Sequence, residues 1–498
     1  MAGEGFEPSK AKPADLQSAP IGHSGNPPRE KKYQCKTLNN VIVYLPPVAK
    51  LNENSKEMKF KSKINFTVTK LSLFYSILFG MFTLAARFPF KGAEDVINAR
   101  NNLIAGHRLD FWGSFSPWFY SIQKSQHWEI FYAATFVLMI SSASYFFLRH
   151  NSSIFRKPLI LTAYLVCFYF SLLFSTNFSR DGAMLSFFWF SLGLWILATS
   201  KVGVIRYIIV FVSLLMLCIG FSFRPWLALS SIFIVLALNS HFPCLNLKFS
   251  NLSSYLILLL ILVSPLALDS SFHRTQKLIN SYPEQQVMIM DVASMACLSA
   301  SKIQSEKALE ILNTISSQKP LTKSILCAQF YPQNWGSVVF YGNDKNQANA
   351  IRQITANDSQ DYKQFRRDWK TLISSNLSLY IQIKILLGSQ FLLAGDSINL
   401  KANSLQTIFQ FPFNIAKFLR LFSILPILLL INFQFLRINK FQKSNQGLLI
   451  FESLFYSSFL IVTTIAFIGD NQRYIFFPSI VVFLLAILNE LKGWHEKI

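Results

Sequence analysis

Ten stretches of the chain are apolar for roughly the length a helix needs to cross the hydrocarbon core of a bilayer. They lie near residues 66–86, 129–148, 159–175, 183–200, 204–221, 226–239, 253–268, 416–433, 447–468 and 474–490. Several are short for a span. The short alternating segments that build a membrane barrel do not occur. Backbone polar groups inside the bilayer must therefore be satisfied within helices. The pattern predicts an all-α integral membrane protein with about ten transmembrane helices. Residues 58–268 hold the first seven, with a first outer loop over 87–128, and residues 416–498 hold the last three and a tail.

Between these blocks, residues 269–415 are too polar to span and predict a mostly helical extracytoplasmic cap domain. Helical patterns run over about 284–299, 304–317 and 360–395. Leu309, Ile311, Leu312 and Ile315 share one side of the second, while Glu306 and Glu310 share the other. The stretch SLYIQIKILLGSQFLLAG, from Ser378, is apolar enough to lie in the interface plane or to span partly.

Placing the Met58 end in the cytoplasm puts Arg149, Arg156, Lys157, Lys201, Arg206, Arg437, Lys440, Lys443, Lys492 and Lys497 on the inside. This satisfies the positive-inside rule. The first outer loop runs against it, with Arg87, Lys91, Arg100, Arg108 and Lys124. Both ends are then cytoplasmic, and a bacterial inner membrane is the expected location.

Composition agrees with a bilayer as solvent. Of the residues, 52% are hydrophobic and only 14% charged, against about 25% charged in soluble domains. Forty-nine Phe exceed what one water-soluble core of this size can bury. The net charge of +22 raises the question of nucleic acid, but much of that charge sits in the short loops, where topology accounts for it. No zinc spacing, phosphate-binding glycine loop or RNA-binding aromatic pattern occurs. Residues 1–57 are polar, lack a period and read as disordered. Gly5–Gly25 resemble a translated transfer-RNA gene, which makes Met58 the expected start. MKFKSK is then a basic leader to an uncleaved anchor.

Four polar elements fall on the outer side. The first loop carries Glu94, Asp95, Arg100, His107 and Asp110; the third carries Arg180, Asp181 and Gly182. The turn after the fifth span reads Phe223-Arg224-Pro225-Trp226, and the last reads Gly469-Asp470-Asn471-Gln472-Arg473-Tyr474. A surface carboxylate can take the proton of an acceptor hydroxyl. Arginines at span ends can hold a phosphate leaving group. Plainer readings stand beside these. Asp95 is a solvated acid, Asp181 a helix cap, Arg224 and Arg473 snorkelling anchors, Asp470 a partner for Arg473, and His107 structural. No motif indicates a cofactor, and the need for a divalent metal stays open.

The loop GAEDVINARNNLIAGHRLDFWGSFSPWFYSI is similar to the opening loop of multi-pass glycosyltransferases of the GT-C superfamily. FSFRPW and GDNQRYIFFPSIVVFLLAI are similar to later steps of the same proteins. The resemblance touches about 90–130, 176–226 and 469–490. It implies a polyprenyl-phosphate sugar donor, with a glycan, lipid or protein acceptor and no nucleic acid partner. It implies Asp95 as base with Glu94 beside it. Arg224, Arg473 and Arg180 would bind the donor phosphate, with Asp181 and Asp470 as a second polar site. The acid pair is Glu-Asp here rather than the more common Asp-Asp or Asp-Glu, so the choice of base between Glu94 and Asp95 is open. PEQQVMIMDVASMACLSA and ILCAQFYPQNWGSVVF also resemble segments of poorly characterised bacterial proteins of this type.

The cysteines are Cys35, Cys167, Cys218, Cys244, Cys297 and Cys327, without a CxxC pair. Cys167 and Cys218 lie in apolar runs and read as packing residues. On an oxidising face Cys297 and Cys327 would close a loop of about thirty residues; the other reading is two buried thiols.

Two further functions compete with a transferase. An O-antigen polymerase or ligase would place essential basic residues in the large outer segment, where His273, Arg366 and Arg367 are available. A transporter or flippase of lipid-linked glycans would show charges in mid-span, and charges lie mostly at span ends.

Overall fold

The computed structural model describes residues 54–87, 94–105, 109–110, 115–125, 127–176, 179–245, 251–275, 279–280, 285–315, 321–329, 359–393, 427–428, 430–434, 446–466 and 473–495. Ser62–Ile498 form one compact unit, and the account concerns that unit.

Among the described residues, six helices are long and apolar enough to cross a membrane, so the chain is a helical membrane protein. They are the apolar part of α1 (Asn54–Arg87), α4 (Trp128–His150), α5 (Pro158–Ser175), α6 (Arg180–Thr199), α7 (Gly203–Ser222) and α9 (Leu252–Thr275). α6 is the hub. It is 78% buried, against 22% for α1 and 17% for α9, because it is apolar all round and enclosed by its neighbours. α9 instead exposes Leu256, Leu259 and Leu260, as a lipid-facing helix can.

Small residues set the close approaches. A Cβ on Gly193 of α6 would stand 2.7 Å from Ala143 Cα of α4. Tyr164 of α5 donates to Ser144 of α4 at 2.8 Å, and Ser213 of α7 to the Ser191 carbonyl of α6 at 2.8 Å. At the far end of α6, Trp195 Nε1 donates to the Phe242 carbonyl at 3.0 Å.

The expected span over 226–239 begins two residues later than its pattern. Pro225–Leu227 form a 3-10 turn, and α8 follows over Ala228–His241, 14 residues. Pro225 fixes the backbone there and restarts the helix. The seventh helix runs on to Thr275, past the expected end of the span at 268, through the mostly polar stretch 269–275. Of 416–433 only 427–428 and 430–433 are described.

α10 (Gln285–Leu298), α11 (Lys302–Asn313), α12 (Lys323–Gln329), α13 (Ser359–Ser375) and α14 (Leu377–Leu393) follow. Their buried residues, among them Met288, Ile289, Val292, Leu312, Leu326, Phe365, Leu372 and Ile383, form a core separate from that of the spans. Ile311, Leu312 and Ile315 are buried there, while Glu306 and Glu310 are exposed. Cys297 of α10 and Cys327 of α12 are joined by a disulfide, with Cα atoms 5.5 Å apart. The helical pattern over 360–395 is broken at Asn376 into α13 and α14.

α15 (Gln446–Ala466) and α16 (Arg473–His495) close the chain. α15 packs on α8 and is touched by α14. Two short strands, β1 (Leu109–Asp110) and β2 (Ile279–Asn280), pair in parallel and tie the first loop to the segment after α9.

Candidate functional site

The site is built where α6 starts. Ser179 caps that helix, its Oγ accepting from the Gly182 amide at 2.9 Å. The cap is therefore Ser179, and Asp181 is left for another partner. Gly182 is pressed against α5: a Cβ there would lie 2.7 Å from the Phe174 carbonyl oxygen. Ser175 and Ser186 both donate to the Gly182 carbonyl, at 3.2 and 2.9 Å. Only a residue without a side chain allows this crossing.

Arg224 leaves the end of α7 and turns back onto α6. Its Nε donates to Asp181 Oδ1 at 2.8 Å and its Nη2 to Oδ2 at 2.7 Å. The two residues are 4% and 1% exposed, so the snorkelling reading of Arg224 fails. This is a bidentate, water-excluded pair, the geometry in which a guanidinium and a carboxylate orient each other most firmly. Both carboxylate oxygens of Asp181 are engaged, so in this arrangement it positions Arg224. The Arg224 guanidinium also lies 5.4 Å from the Trp226 ring centre. Arg180, next in sequence to Asp181, is buried too.

Phe223 anchors the turn. Its ring lies 5.1 Å from both Phe115 and Phe119 of α3 (Phe115–Ser121) and 5.9 Å from Phe187 of α6. α3 is fixed in turn by α9. Asp269 Oδ1 accepts from the Phe115 amide at 3.1 Å, and Phe272 stacks on Trp118 at 4.0 Å. Tyr132 of α4 donates to the Phe119 carbonyl.

α2 (Glu94–Ile104) is tied to this aromatic nest by Arg100. Arg100 is 5% exposed. Its Nε donates to the Tyr120 carbonyl at 3.0 Å, its Nη2 donates to the Gln123 carbonyl at 2.8 Å, and its guanidinium sits 4.5 Å over Trp128. Glu94 and Asp95 open this helix.

Arg473 opens α16. One turn later, Phe477 lies 6.0 Å from Phe188 and 6.1 Å from Phe221. The first turns of α16 thus pack against Phe188, two turns into α6, and against the end of α7, where α3 also packs. Of the sequence candidates, Asp181 and Arg224 come into contact. The side chains of Glu94, Asp95 and Arg473, and all of His107 and Asp470, lie outside the described residues. Among the described residues, no group of three or more His, Cys, Asp or Glu comes together to hold a metal.

Sequence reasoning passed over two buried features. Asp291 of α10, 2% exposed, meets Lys384 Nζ of α14 at 2.7 Å. Trp369 Nε1 and Tyr380 Oη donate to the Asp291 Oδ2 at 3.2 and 3.3 Å. Burial raises the Asp291 pKa above the ordinary carboxylate value, with Lys384 pulling against it. Glu452 of α15 is fully buried, and neither carboxyl oxygen has a hydrogen-bond partner among the described residues. Each was signalled by a lone charge in an otherwise apolar helix.

No family model, curated protein or solved structure matches this chain.

Proposed function

We propose that the chain is a membrane glycosyltransferase of the GT-C kind, moving a sugar from a polyprenyl-phosphate donor to an acceptor on the outer face. In this reading the chain crosses the bilayer about ten times with both ends in the cytoplasm. Residues 269–415 form a cap over the site. The observation that carries the reading is the attachment of α2, through Arg100, Tyr120 and Phe223, to the bundle end that holds the Asp181–Arg224 pair. A loop bearing two carboxylates and a turn bearing a fixed guanidinium share that end.

The chemistry follows from those groups. The acceptor hydroxyl oxygen bonds to the sugar's anomeric carbon as the bond from that carbon to the donor phosphate oxygen breaks. Glu94 or Asp95 takes the hydroxyl proton. The bonding pair leaves on the phosphate, whose charge Arg224, Arg473 and Arg180 offset. Asp181, which with Asp470 makes the second polar site of this reading, keeps the Arg224 plane in place, and the lipid tail of the donor stays in the bilayer.

The test is transfer of a labelled sugar from a polyprenyl-phosphate donor by the full chain in lipid nanodiscs. Asp95→Asn, Glu94→Gln and the double variant are compared with the parent. Loss of transfer with normal expression in one single variant identifies the base. Full transfer by the double variant removes the reading. The polymerase or ligase alternative requires Arg366 and Arg367, both exposed on α13, and Arg366→Gln/Arg367→Gln separates it.

One observation favours a second reading. Glu452 is a buried carboxyl in the apolar helix α15, and such groups mark transport paths more often than structural sites. The expectation that charges sit at span ends overlooked it. A flippase for lipid-linked glycans would lose flipping in Glu452→Gln and keep it in the Glu94 and Asp95 variants.

A further inference from the structure

α13 and α14 are joined almost end to end. The Asn376 amide donates to the Ile373 carbonyl at 3.0 Å, and the Tyr380 amide to the Asn376 carbonyl at 2.9 Å. One side of this pair packs into the separate core through Tyr362, Phe365, Leu372 and Ile383. The opposite side changes character along its length. Lys363, Arg367, Lys370 and Ser374 are exposed on α13 at spacings of three and four. The same ladder continues on α14 as Leu377, Ile381 and Ile385, which are 56%, 48% and 64% exposed. An apolar stripe of this size facing water would be costly.

We infer that α14 is immersed in the bilayer beside α15, with the cationic face of α13 at the level of the lipid phosphates. The order of the side chains selects the occupant. Cations followed by branched apolar residues on one face match head groups followed by acyl chains, whereas a water-soluble partner would leave the cations without such a boundary. α14 touches α15, an apolar helix over Leu449–Ile461 that itself exposes Ile450, Leu454 and Ile461. From Lys370 to Ile385 a helix rises roughly 22 Å, enough to pass from phosphate level into the hydrocarbon. The lone cation of α14, Lys384, points away from the stripe and is neutralised by Asp291, as an ionisable group at that depth must be.

This inference stands independently of the transferase reading, and its test needs no activity. Nitroxide labels are placed singly at Arg367→Cys, Lys370→Cys, Ile381→Cys and Ile385→Cys in the full chain. The protein is held in nanodiscs of phosphatidylethanolamine and phosphatidylglycerol, and the identically treated parent gives the background. Collisions with oxygen and with a water-soluble nickel chelate report depth. The expected result is a several-fold excess of oxygen over nickel at Ile381 and Ile385, and the reverse at Arg367 and Lys370. Labels at the latter two are also expected to relax the lipid phosphorus signal more strongly than the label at Ile385. Nickel access at Ile381 and Ile385 equal to that at Arg367 overturns the inference, because the stripe then faces water. Exclusion of both reagents there overturns it as well, because protein rather than lipid then covers the stripe.

Discussion

Arg224 closes onto Asp181, 43 positions earlier, through two hydrogen bonds to one carboxylate. Removing one partner of a buried pair strands the other charge, at about 3–5 kcal/mol. Asp181→Ala and Arg224→Ala are therefore expected to lose that much stability in detergent, read by thermal unfolding. Asp181→Leu/Arg224→Met, which strands nothing, is expected to recover a large part of it. Single variants as stable as the parent would show that the pair does not hold the helix ends together.

The crossing of α5 and α6 makes a second expectation. A methyl at Gly182 would meet backbone atoms, 2.7 Å from the Phe174 oxygen and 3.1 Å from the Ser175 Cα, so no rotamer relieves it. Gly182→Ala is expected to cost about 1–3 kcal/mol. Gly193→Ala, which meets Ala143 in the same way, should cost a similar amount. Unfolding of both variants, with the exposed Gly203→Ala as an open-space comparison, checks the claim; Gly203 has φ 63° and carries its own backbone strain.

Asp291 gives a pH dependence. Its folded-state pKa is raised, so the folded chain holds that proton more tightly than the unfolded chain. The sign follows by linkage: the contribution is fully present below the ordinary carboxylate value near about 4 and is lost as pH rises through the raised value. Lowering the pH from neutral toward about 4 should thus stabilise the parent relative to Asp291→Asn/Lys384→Met. Parallel stability curves for the two proteins would refute this.

The Cys297–Cys327 bridge closes a separation of 30 residues. Its loss in Cys297→Ser/Cys327→Ser is expected to cost about 3–4 kcal/mol in the α10–α14 core. Alkylation of the denatured, unreduced chain should label Cys167, Cys218 and Cys244 while sparing Cys297 and Cys327. Mass spectrometry of the fragments decides.

The helices were legible because apolar run length is a direct signal in a bilayer. Helices α1, α4–α7 and α9 follow their patterns closely. The break at Asn376 was harder, because a one-residue interruption barely changes a long periodic pattern. In the site, sequence could place Asp181 and Arg224 on one side but could not show them in contact. Contact depends on the 3-10 turn and on Ser179 taking the cap. Asp291 and Lys384 are separated along the chain, and each looks like a solitary charge until folding pairs them. Glu452 is visible in the sequence as an acid inside an apolar run, but run length alone does not show whether such an acid is buried.

The enclosure of α6 constrains how the protein is made. Synthesis delivers α6, with Arg180 and Asp181 at its head, before α7 and Arg224 exist. Until α7 joins α6, Asp181 has no Arg224 guanidinium to pair with. Lateral release of α7 from the insertion machinery then shuts water away from both charges at once. Docking of α7 on α6 is therefore the step that completes the bundle centre, since it brings Arg224 onto Asp181.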